Sequence, residues 1–311
     1  MRILLAPDSF KDSLSAWVAG KQIALGLGSI LPSAQIKILP LADGGEGTLN
    51  ALIDATRGYK KIISIHDPLM RKRKAEFGIL GNSKKAVIEM ASASGIELLS
   101  QGEKNPHHTT SYGTGELIKA ALDENCEEII LGIGGSATID GGAGVMAALG
   151  VKFSDENEEA ILPTGGNLQN IRRIDLNEID PRLEKTIIRV ATYVNNPLTG
   201  EKGAAAVFGP QKGAQKEEIS IFDNNLRHLS RLLSKIKGSI KPDTPGMGAA
   251  GGLPLSVSAF THASIQNGFE LIAGVVRLQA HIKNADLIIT GEGKIDGQTK
   301  YGKTPWGVAQ M

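Results

Sequence analysis

Alternation of strand-like and helix-like segments is the feature that most restricts the fold of this 311-residue chain. Short apolar runs at 2–6 and 36–41 are each followed by a helical pattern, at 14–31 and 46–57. This order predicts parallel strands joined by crossover helices. We therefore expect an α/β fold that contains a Rossmann-like parallel sheet.

The pattern changes after residue 60. Three short strands at 60–66, 73–79 and 85–90 are joined by turn-like segments and predict an antiparallel insert. Later segments are predicted as helices at 114–124, 141–149 and 215–237 and as strands at 128–133, 187–194 and 283–290. The predicted domains are a Rossmann-like nucleotide-side domain (1–60, about 100–150 and about 275–311) and an inserted α+β domain (about 61–99 and 151–274), with the active site in the interdomain cleft.

Composition excludes several classes of protein. The net charge of +1 gives no reason to expect a nucleic acid or an anionic membrane as partner. No apolar run reaches the roughly 18 residues that a membrane span needs. Cys126 is the single cysteine, so the chain has neither a disulfide framework nor a cysteine zinc site. We expect a cytoplasmic protein whose partners are small molecules.

Two glycine-rich loops that carry carboxylates follow predicted strands near opposite ends of the chain. The first contains Asp43-Gly44-Gly45-Glu46, and the second contains Gly291-Glu292-Gly293 and, further on, Asp296. Glycine lets the backbone turn sharply and approach a ligand closely. Exposed N–H groups suit phosphate oxygens, and carboxylates suit Mg²⁺ or a proton. These loops predict nucleotide phosphate chemistry, although Glu46 could instead favour the first turn of the next helix.

A third loop, from Gly132 to Gly142, leads from a strand into a helix and also suits an anion. Within it, Asp140 could be a ligand or a plain helix N-cap. Lys11 follows the first strand and could neutralise a phosphate or a carboxylate. Lys212 lies in a loop just before a helix.

One motif is misleading. Residues 297–304 match the P-loop pattern G-x-x-x-x-G-K-[ST]. That pattern has meaning only directly between a strand and a long helix, whereas here the strand ends near Thr290 and six residues intervene. Pro305 follows, and the sequence to Met311 leaves no room for a full helix. A P-loop NTPase is therefore kept only as a third hypothesis.

Together, these motifs resemble the bacterial glycerate kinase family. The resemblance runs in order along the whole chain and covers residues 6–16, 42–48, 89–91, 109–116, 132–142, 196–198, 208–214, 248–252, 290–298 and 302–303. It implies a two-domain α/β fold and transfer of the γ-phosphoryl group of Mg-ATP to D-glycerate. The product would be 2-phosphoglycerate or 3-phosphoglycerate.

The resemblance and the motifs assign roles to individual residues. Lys11, Asp43, Asp140 and Asp296 are the predicted catalytic residues, and either Asp140 or Asp296 would be the general base. The predicted ATP-binding residues are Gly134, Gly135, Ser136, Gly291, Glu292, Gly293 and Lys303. The predicted substrate-binding residues are Ser9, Gly44, Gly45 and Lys212. Asp43 and Glu46 would hold Mg²⁺.

The sequence departs from the family pattern at three positions. Tyr112 replaces the usual Arg, Ile139 the usual Asn and Tyr193 the usual Asp. Arg can hold a carboxylate by two parallel hydrogen bonds, whereas Tyr offers one neutral donor. These departures define an alternative, a homologue of impaired or lost activity that only binds ligand.

The position of Met311 adds an expectation about the sheet. Family members usually continue for several tens of residues. Residues 283–290 should be a central strand of the Rossmann-like sheet, and part of that sheet should be missing. A homo-oligomer that covers the exposed edge is then a further expectation.

Overall fold

The computed structural model describes residues 1–11, 13–81, 83–238, 240–295, 299 and 303–311. The strands are β1 (Arg2–Leu5), β2 (Gln35–Ile38), β3 (Tyr59–His66), β4 (Lys72–Ile79), β5 (Lys85–Glu89), β6 (Glu128–Gly132), β7 (Lys152–Ser154), β8 (Arg173–Asp175), β9 (Ile187–Thr192), β10 (His262–Asn267) and β11 (Leu287–Ile289). The helices are α1 (Ala16–Ile30), α2 (Thr48–Thr56), α3 (Ala91–Ser94), α4 (Tyr112–Asp123), α5 (Ala143–Ala148), α6 (Ala204–Phe208), α7 (Ile219–Lys237), α8 (Ala249–Phe260), α9 (Gly268–Val275), α10 (Leu278–Ile282) and α11 (Thr304–Gln310).

The smaller parallel sheet has the strand order β11-β1-β2. Leu5 is paired with Ile289 on one side and with Ile38 on the other, and both pairings are parallel. Ser15 caps α1 by accepting a hydrogen bond from the Val18 N–H at 3.3 Å. The predicted alternation of strands and helices is confirmed in this part of the chain.

The larger sheet has six strands in the order β10-β9-β6-β5-β4-β3. Strands β10, β9, β6 and β5 are parallel, and β4 and β3 continue the sheet in antiparallel fashion. The predicted antiparallel arrangement of 60–66, 73–79 and 85–90 is therefore confirmed. The protein is a mixed α/β structure with parallel sheets, and its division into two domains around a cleft stays a prediction.

Two strands lie elsewhere than the sequence predicted. Strand β6 was grouped with the Rossmann-like residues, but it pairs with β5 and β9 in the larger sheet. Strand β11 was expected at the centre of its sheet because its sequence is apolar. Among the described residues it pairs only with β1 and forms an edge, with Leu287 40% exposed.

Two apolar cores hold the sheets together. The larger core lies between one face of the six-stranded sheet and helices that include α4, α5 and α7. The second core joins Leu4 and Leu41 of the smaller sheet and its loops to Val87 and Ile130 on the opposite face of β5 and β6. Because this second core contains residues from both sheets, it fixes the loops of the smaller sheet against the larger one.

No helix in the described ranges combines the length and the apolar character that crossing a membrane requires.

Candidate active site

The loops that follow β1, β2 and β11 meet at one edge of the smaller sheet. Parallel strands bring their carboxyl ends to the same edge. The Asp8 N–H donates to the Gly291 carbonyl at 2.9 Å, and the Leu41 N–H donates to the Pro7 carbonyl at 2.9 Å. Backbone hydrogen bonds thus continue past the strands and hold the two predicted carboxylate loops beside the first strand.

Asp8 is the most enclosed carboxylate of this site, and sequence analysis did not select it as a site residue. It is 6% exposed. Its Oδ1 accepts from the Ser9 N–H at 2.6 Å, and its Oδ2 accepts from Thr304 Oγ1 at 2.5 Å. Burial, together with the negative charges of Asp43 and Glu292, raises the pKa of Asp8 to about 7. Its position directly after the first predicted strand was the signal that could have found it.

Asp43 is half-buried, and among the described residues only one of its carboxylate oxygens has a hydrogen-bond donor. Its Oδ1 accepts from the Gly45 N–H at 3.0 Å. In the part of the chain that the structure describes, no donor is hydrogen bonded to Oδ2. Burial raises the pKa of Asp43, while the charge of Lys303 lowers it. Asp43 therefore keeps one oxygen available for a cation or a hydroxyl group.

Glu292 and Lys303 bring a carboxylate and a cation from the end of the chain into this cluster. The Lys303 ammonium lies 3.6 Å from Glu292 Oε1, and both side chains are largely buried. Thr299 Oγ1 also donates to Glu292, at 3.2 Å. Burial raises the pKa of Glu292, and the charge of Lys303 opposes that rise. The site thus contains Asp8, Asp43 and Glu292 with Lys303 as a nearby positive charge.

The Asp43 loop also packs against the carboxyl ends of strands in the larger sheet. A Cβ at Gly132 would lie 2.7 Å from the Gly44 carbonyl, and a Cβ at Gly134 would lie 2.9 Å from Gly45 Cα. Only glycine allows two backbones to approach this closely. The predicted loops at residues 43–47 and 132–142 are therefore in direct contact.

The glycine loop after β6 presents backbone donors that have no acceptor among the described residues. Gly134 is half-buried and Gly135 is exposed, and neither N–H donates to an acceptor in the described ranges. The same holds for Gly291 and Gly293. Unpaired N–H groups at a strand-to-helix loop bind anions well. Both loops can therefore accept phosphate or carboxylate oxygens.

Glu89 is a second residue that sequence analysis missed as a site element. Helix α2 begins after Gly47, which provides no side-chain cap. Glu89 Oε1, at the end of β5, accepts the Leu49 N–H at 2.8 Å and so caps the helix from another strand. Burial raises the pKa of Glu89 to about 6. A cap supplied by a distant residue has no local sequence signal.

The remaining predicted ligands of the first loops lie at the surface. Glu46 is exposed, so its predicted role as a magnesium ligand with Asp43 stays a prediction. Lys11 is also exposed, and Ser9 is half-buried with its Oγ beside Gly47. No group of three or more His, Cys, Asp or Glu side chains suited to a metal ion occurs in the described part of the chain. A metal ion bound here would need further ligands in addition to these described side chains.

Lys212 and Asp140 lie behind the glycine loop after β6. Lys212 is 2% exposed, and its Nζ donates to Ser136 Oγ and to the Thr138 carbonyl, each at 2.7 Å. Asp140 is fully buried, and its Oδ2 accepts from the Ser111 N–H and Oγ, each at 2.7 Å. Its Oδ1 accepts from the Gly142 N–H at 3.2 Å, ahead of α5. Gly142 is the N-cap residue of α5 and has no side-chain cap, so Asp140 is not a plain N-cap; its contacts instead join the loops ahead of α4 and α5.

The other candidate base, Asp296, lies outside the described residues, as does most of the P-loop match. Residues 304–310 do form a helix, with Pro305 in its first turn. This helix has only seven residues, and proline is well tolerated at the first helical positions.

The three departures from the family pattern lie in different surroundings. Burial raises the pKa of the Tyr193 phenol, and the negative charge of nearby Asp43 contributes to the rise. Tyr112 contacts His66 edge-on, with ring centroids 6.0 Å apart. Ile139 is fully buried in the larger core, where an apolar side chain is well accommodated.

Acidic and glycine-rich loops at the carboxyl ends of parallel strands are the usual location of ligand sites in α/β proteins. The model of the glycerate kinase family matches residues 3–311. The chain belongs to the glycerate kinase family.

Individual relatives agree with this assignment. A glycerate kinase of Halalkalibacterium halodurans is 47% identical over 308 residues, which are 99% of this chain and 81% of that protein. A glycerate 2-kinase of Escherichia coli is 47% identical, over 100% of this chain and 82% of that protein. A crystal structure of a Salmonella typhimurium LT2 protein that bears the name glycerate kinase 2 has a TM-score of 0.93 at 45% identity, and the match covers 100% of this chain and 83% of that one.

Proposed function

We propose that this protein transfers the γ-phosphoryl group of ATP to D-glycerate and forms 2-phosphoglycerate or 3-phosphoglycerate. The observation that carries the proposal is the meeting of carboxylates, a lysine and backbone N–H groups that have no acceptor in the described ranges, at one edge of the smaller sheet. Phosphoryl transfer depends mainly on positioning and charge neutralisation. Family membership and this combination of groups support a kinase over a simple anion-binding protein.

Asp43 is the residue that best fits a magnesium ligand. One of its oxygens has no donor among the described residues, and its carboxylate lies near that of Asp8. Mg²⁺ commonly takes one or two carboxylates, and phosphate oxygens and water complete its shell. Asp43, with Glu46 as the other predicted ligand, would hold the ion, which supplies charge neutralisation for the phosphates when bound.

Basic residues and glycines divide between the two substrates in this proposal. Lys303 lies in the acidic cluster, and with Gly291, Glu292 and Gly293 it would position the phosphates of ATP. Lys11, Ser9, Gly44 and Gly45 line the loops next to Asp43 and would bind glycerate. The interdomain cleft predicted from the sequence would then lie between these loops and the ends of β6 and β9.

The general base is the least defined role. Asp140 contacts Ser111 and backbone N–H groups and is fully buried, which favours a structural role. Asp296, the other general base predicted from the sequence, stays a candidate. Asp8 is added because it belongs to the acidic cluster.

The test is a steady-state assay with purified protein, D-glycerate, ATP and MgCl₂. Release of ADP should require all three additions, and L-glycerate is the matched control. Phosphorus NMR of the product should show one phosphoglycerate isomer. A folded protein that binds D-glycerate and ATP but releases no ADP above background would support the alternative of a binding-only homologue.

A further inference from the structure

Lys212 is a buried cation whose side-chain hydrogen bonds, within the described part of the chain, both go to one loop. Its side chain leaves the 3₁₀ turn Pro210–Lys212 and crosses to the loop after β6. Its ammonium donates to Ser136 Oγ and to the Thr138 carbonyl, each at 2.7 Å. Burial of a lysine is costly, and such lysines are rarely retained without a partner.

That loop belongs to the site described above. Gly134 lies two residues before Ser136 and contacts Gly45 of the Asp43 loop. The N–H groups of Gly134 and Gly135 have no acceptor in the described residues. Fixing Ser136 and Thr138 from behind consequently fixes the direction of these two donors.

The contact with Lys212 also determines what the Ser136 hydroxyl can do. An ammonium group has three donors and no acceptor, so Ser136 Oγ accepts at this contact. The proton of the hydroxyl group then has to point to another acceptor. None is hydrogen bonded to Ser136 Oγ within the described ranges, and the side chain is 7% exposed. A ligand oxygen is the acceptor that this geometry leaves open.

From this we infer that Lys212 is a positioning residue: it locks residues 134–138 and makes the Ser136 hydroxyl a hydrogen-bond donor to an oxyanion of the ligand. The oxyanion is either the carboxylate of glycerate or a phosphate of ATP. The inference rests on the proposed function, and it changes the predicted role of Lys212 from direct substrate contact to action through Ser136.

The electrostatic surroundings support this role. Burial lowers the pKa of Lys212 to about 7, and the negative charge of Asp140, the charged group facing it, opposes that shift. Above this pKa the neutral amine can accept the Ser136 proton, so the hydroxyl no longer has to donate to a ligand. The advantage that Ser136 gives to binding should therefore decrease as the pH rises through about 7.

The experiment is calorimetric titration of the full chain with D-glycerate and, separately, with Mg-ATP. The variants are Ser136→Ala, Lys212→Met and the double variant, with Lys216→Met as the control because Lys216 is exposed in the same region. We expect Ser136→Ala and Lys212→Met each to weaken one of the two ligands by about ten- to a hundredfold, the usual value of a hydrogen bond to a charged group. The double variant should bind no more weakly than Lys212→Met.

The ligand that loses affinity identifies the oxyanion as carboxylate or phosphate. Unchanged binding of both ligands to Ser136→Ala would overturn the inference, as would losses that multiply in the double variant.

If Lys212→Met does not fold, the ratio of the dissociation constants of Ser136→Ala and the unmodified protein still decides the question. That ratio should fall toward one between pH 6 and pH 8.5, whereas a constant ratio would contradict a role for Lys212. Binding is measured without turnover, so an inactive but binding protein would reject the proposed function and leave this inference testable.

Discussion

At the scale of single residues, Asp43 and Asp140 show how two aspartates on glycine-rich loops come to differ. Asp43 keeps one oxygen without a donor in the described residues, and it lies beside two other carboxylates. Asp140 is enclosed, with both oxygens bonded to donors of the loops that begin α4 and α5. The first arrangement is suited to a ligand and the second to holding two helices together.

Asp43→Asn should reduce turnover of D-glycerate by at least about a hundredfold, the low end for general acid–base or charge-stabilising groups. The thermal midpoint should change little, because Asp43 lies on a loop directly before two glycines. Steady-state kinetics and a thermal melt measure the two effects. Asp243→Asn is the control, since Asp243 is an exposed loop residue. Near-normal turnover in folded Asp43→Asn would make Asp43 structural.

Asp140→Asn should mainly cost stability. The amide keeps one acceptor oxygen and turns an NH₂ group toward donors such as the Ser111 N–H, so buried hydrogen bonds are lost. We expect the free energy of unfolding to fall by about 3 kcal/mol in urea titrations. A variant as stable as the parent but without activity would instead identify Asp140 as a chemical participant.

At the scale of secondary structure elements, the most informative case is the cap of α2 by Glu89 from β5. The folded-state pKa of about 6 lies above the usual value of 4.5, so the folded protein binds the proton more tightly. Stability should therefore fall as the pH rises from about 4.5 to about 6 and then level off.

Glu89→Gln, which does not titrate, should remove this dependence, which is on the order of 1–2 kcal/mol. Urea unfolding at a series of pH values compares the two proteins, with exposed Glu97→Gln as the matched control. If Glu89→Gln follows the same pH curve as the parent, the carboxylate is not the titrating cap.

The elements that were predicted well have a clear periodic pattern of apolar residues in their own sequence. Helix α7 shows an apolar face at helical spacing. It was predicted at 215–237, and the structure has it at Ile219–Lys237. Helix α8 and strand β10 were missed. Positive φ at Ala250, Gly251 and Gly252 and a proline at 254 interrupt the helical pattern. The sequence of β10, His262–Asn267, lacks apolar alternation because the strand is only half-buried.

The functional loops show the same division. The glycines and the carboxylates at 43 and 292 could be found because their types and spacing are local properties. Asp8 with Thr304 and Leu49 with Glu89 are contacts between distant segments, and no local pattern encodes them.

At the scale of the whole molecule, the second core connects the two sheets, and this predicts how the protein unfolds. Ile129 and Ile130 are adjacent on β6, both are fully buried, and they face different cores. Each change to Ala should lower the free energy of unfolding by about 2–5 kcal/mol. If the sheets unfold as one unit, Ile129→Ala and Ile130→Ala should each unfold in a single transition that includes both sheets.

Two probes distinguish one unit from two. Tryptophan fluorescence reports on the smaller sheet and its surroundings, because Trp17 lies in α1 next to that sheet and Trp306 lies in α11 next to α9. Circular dichroism reports on all elements. Fluorescence and dichroism midpoints should coincide in urea and shift together in Ile129→Ala and Ile130→Ala. A fluorescence midpoint that stays in place in Ile129→Ala would show that the sheets unfold independently, as the predicted pair of domains would.

The hydrogen bond between Thr304 and Asp8 has a consequence for biosynthesis. The two residues are 296 positions apart. At ribosomal rates, about 15 to 60 s separate their synthesis. During that interval the nascent chain carries an acidic side chain whose hydroxyl partner does not yet exist. The enclosure of Asp8 by Thr304 is therefore completed late, however much of the larger sheet has already formed.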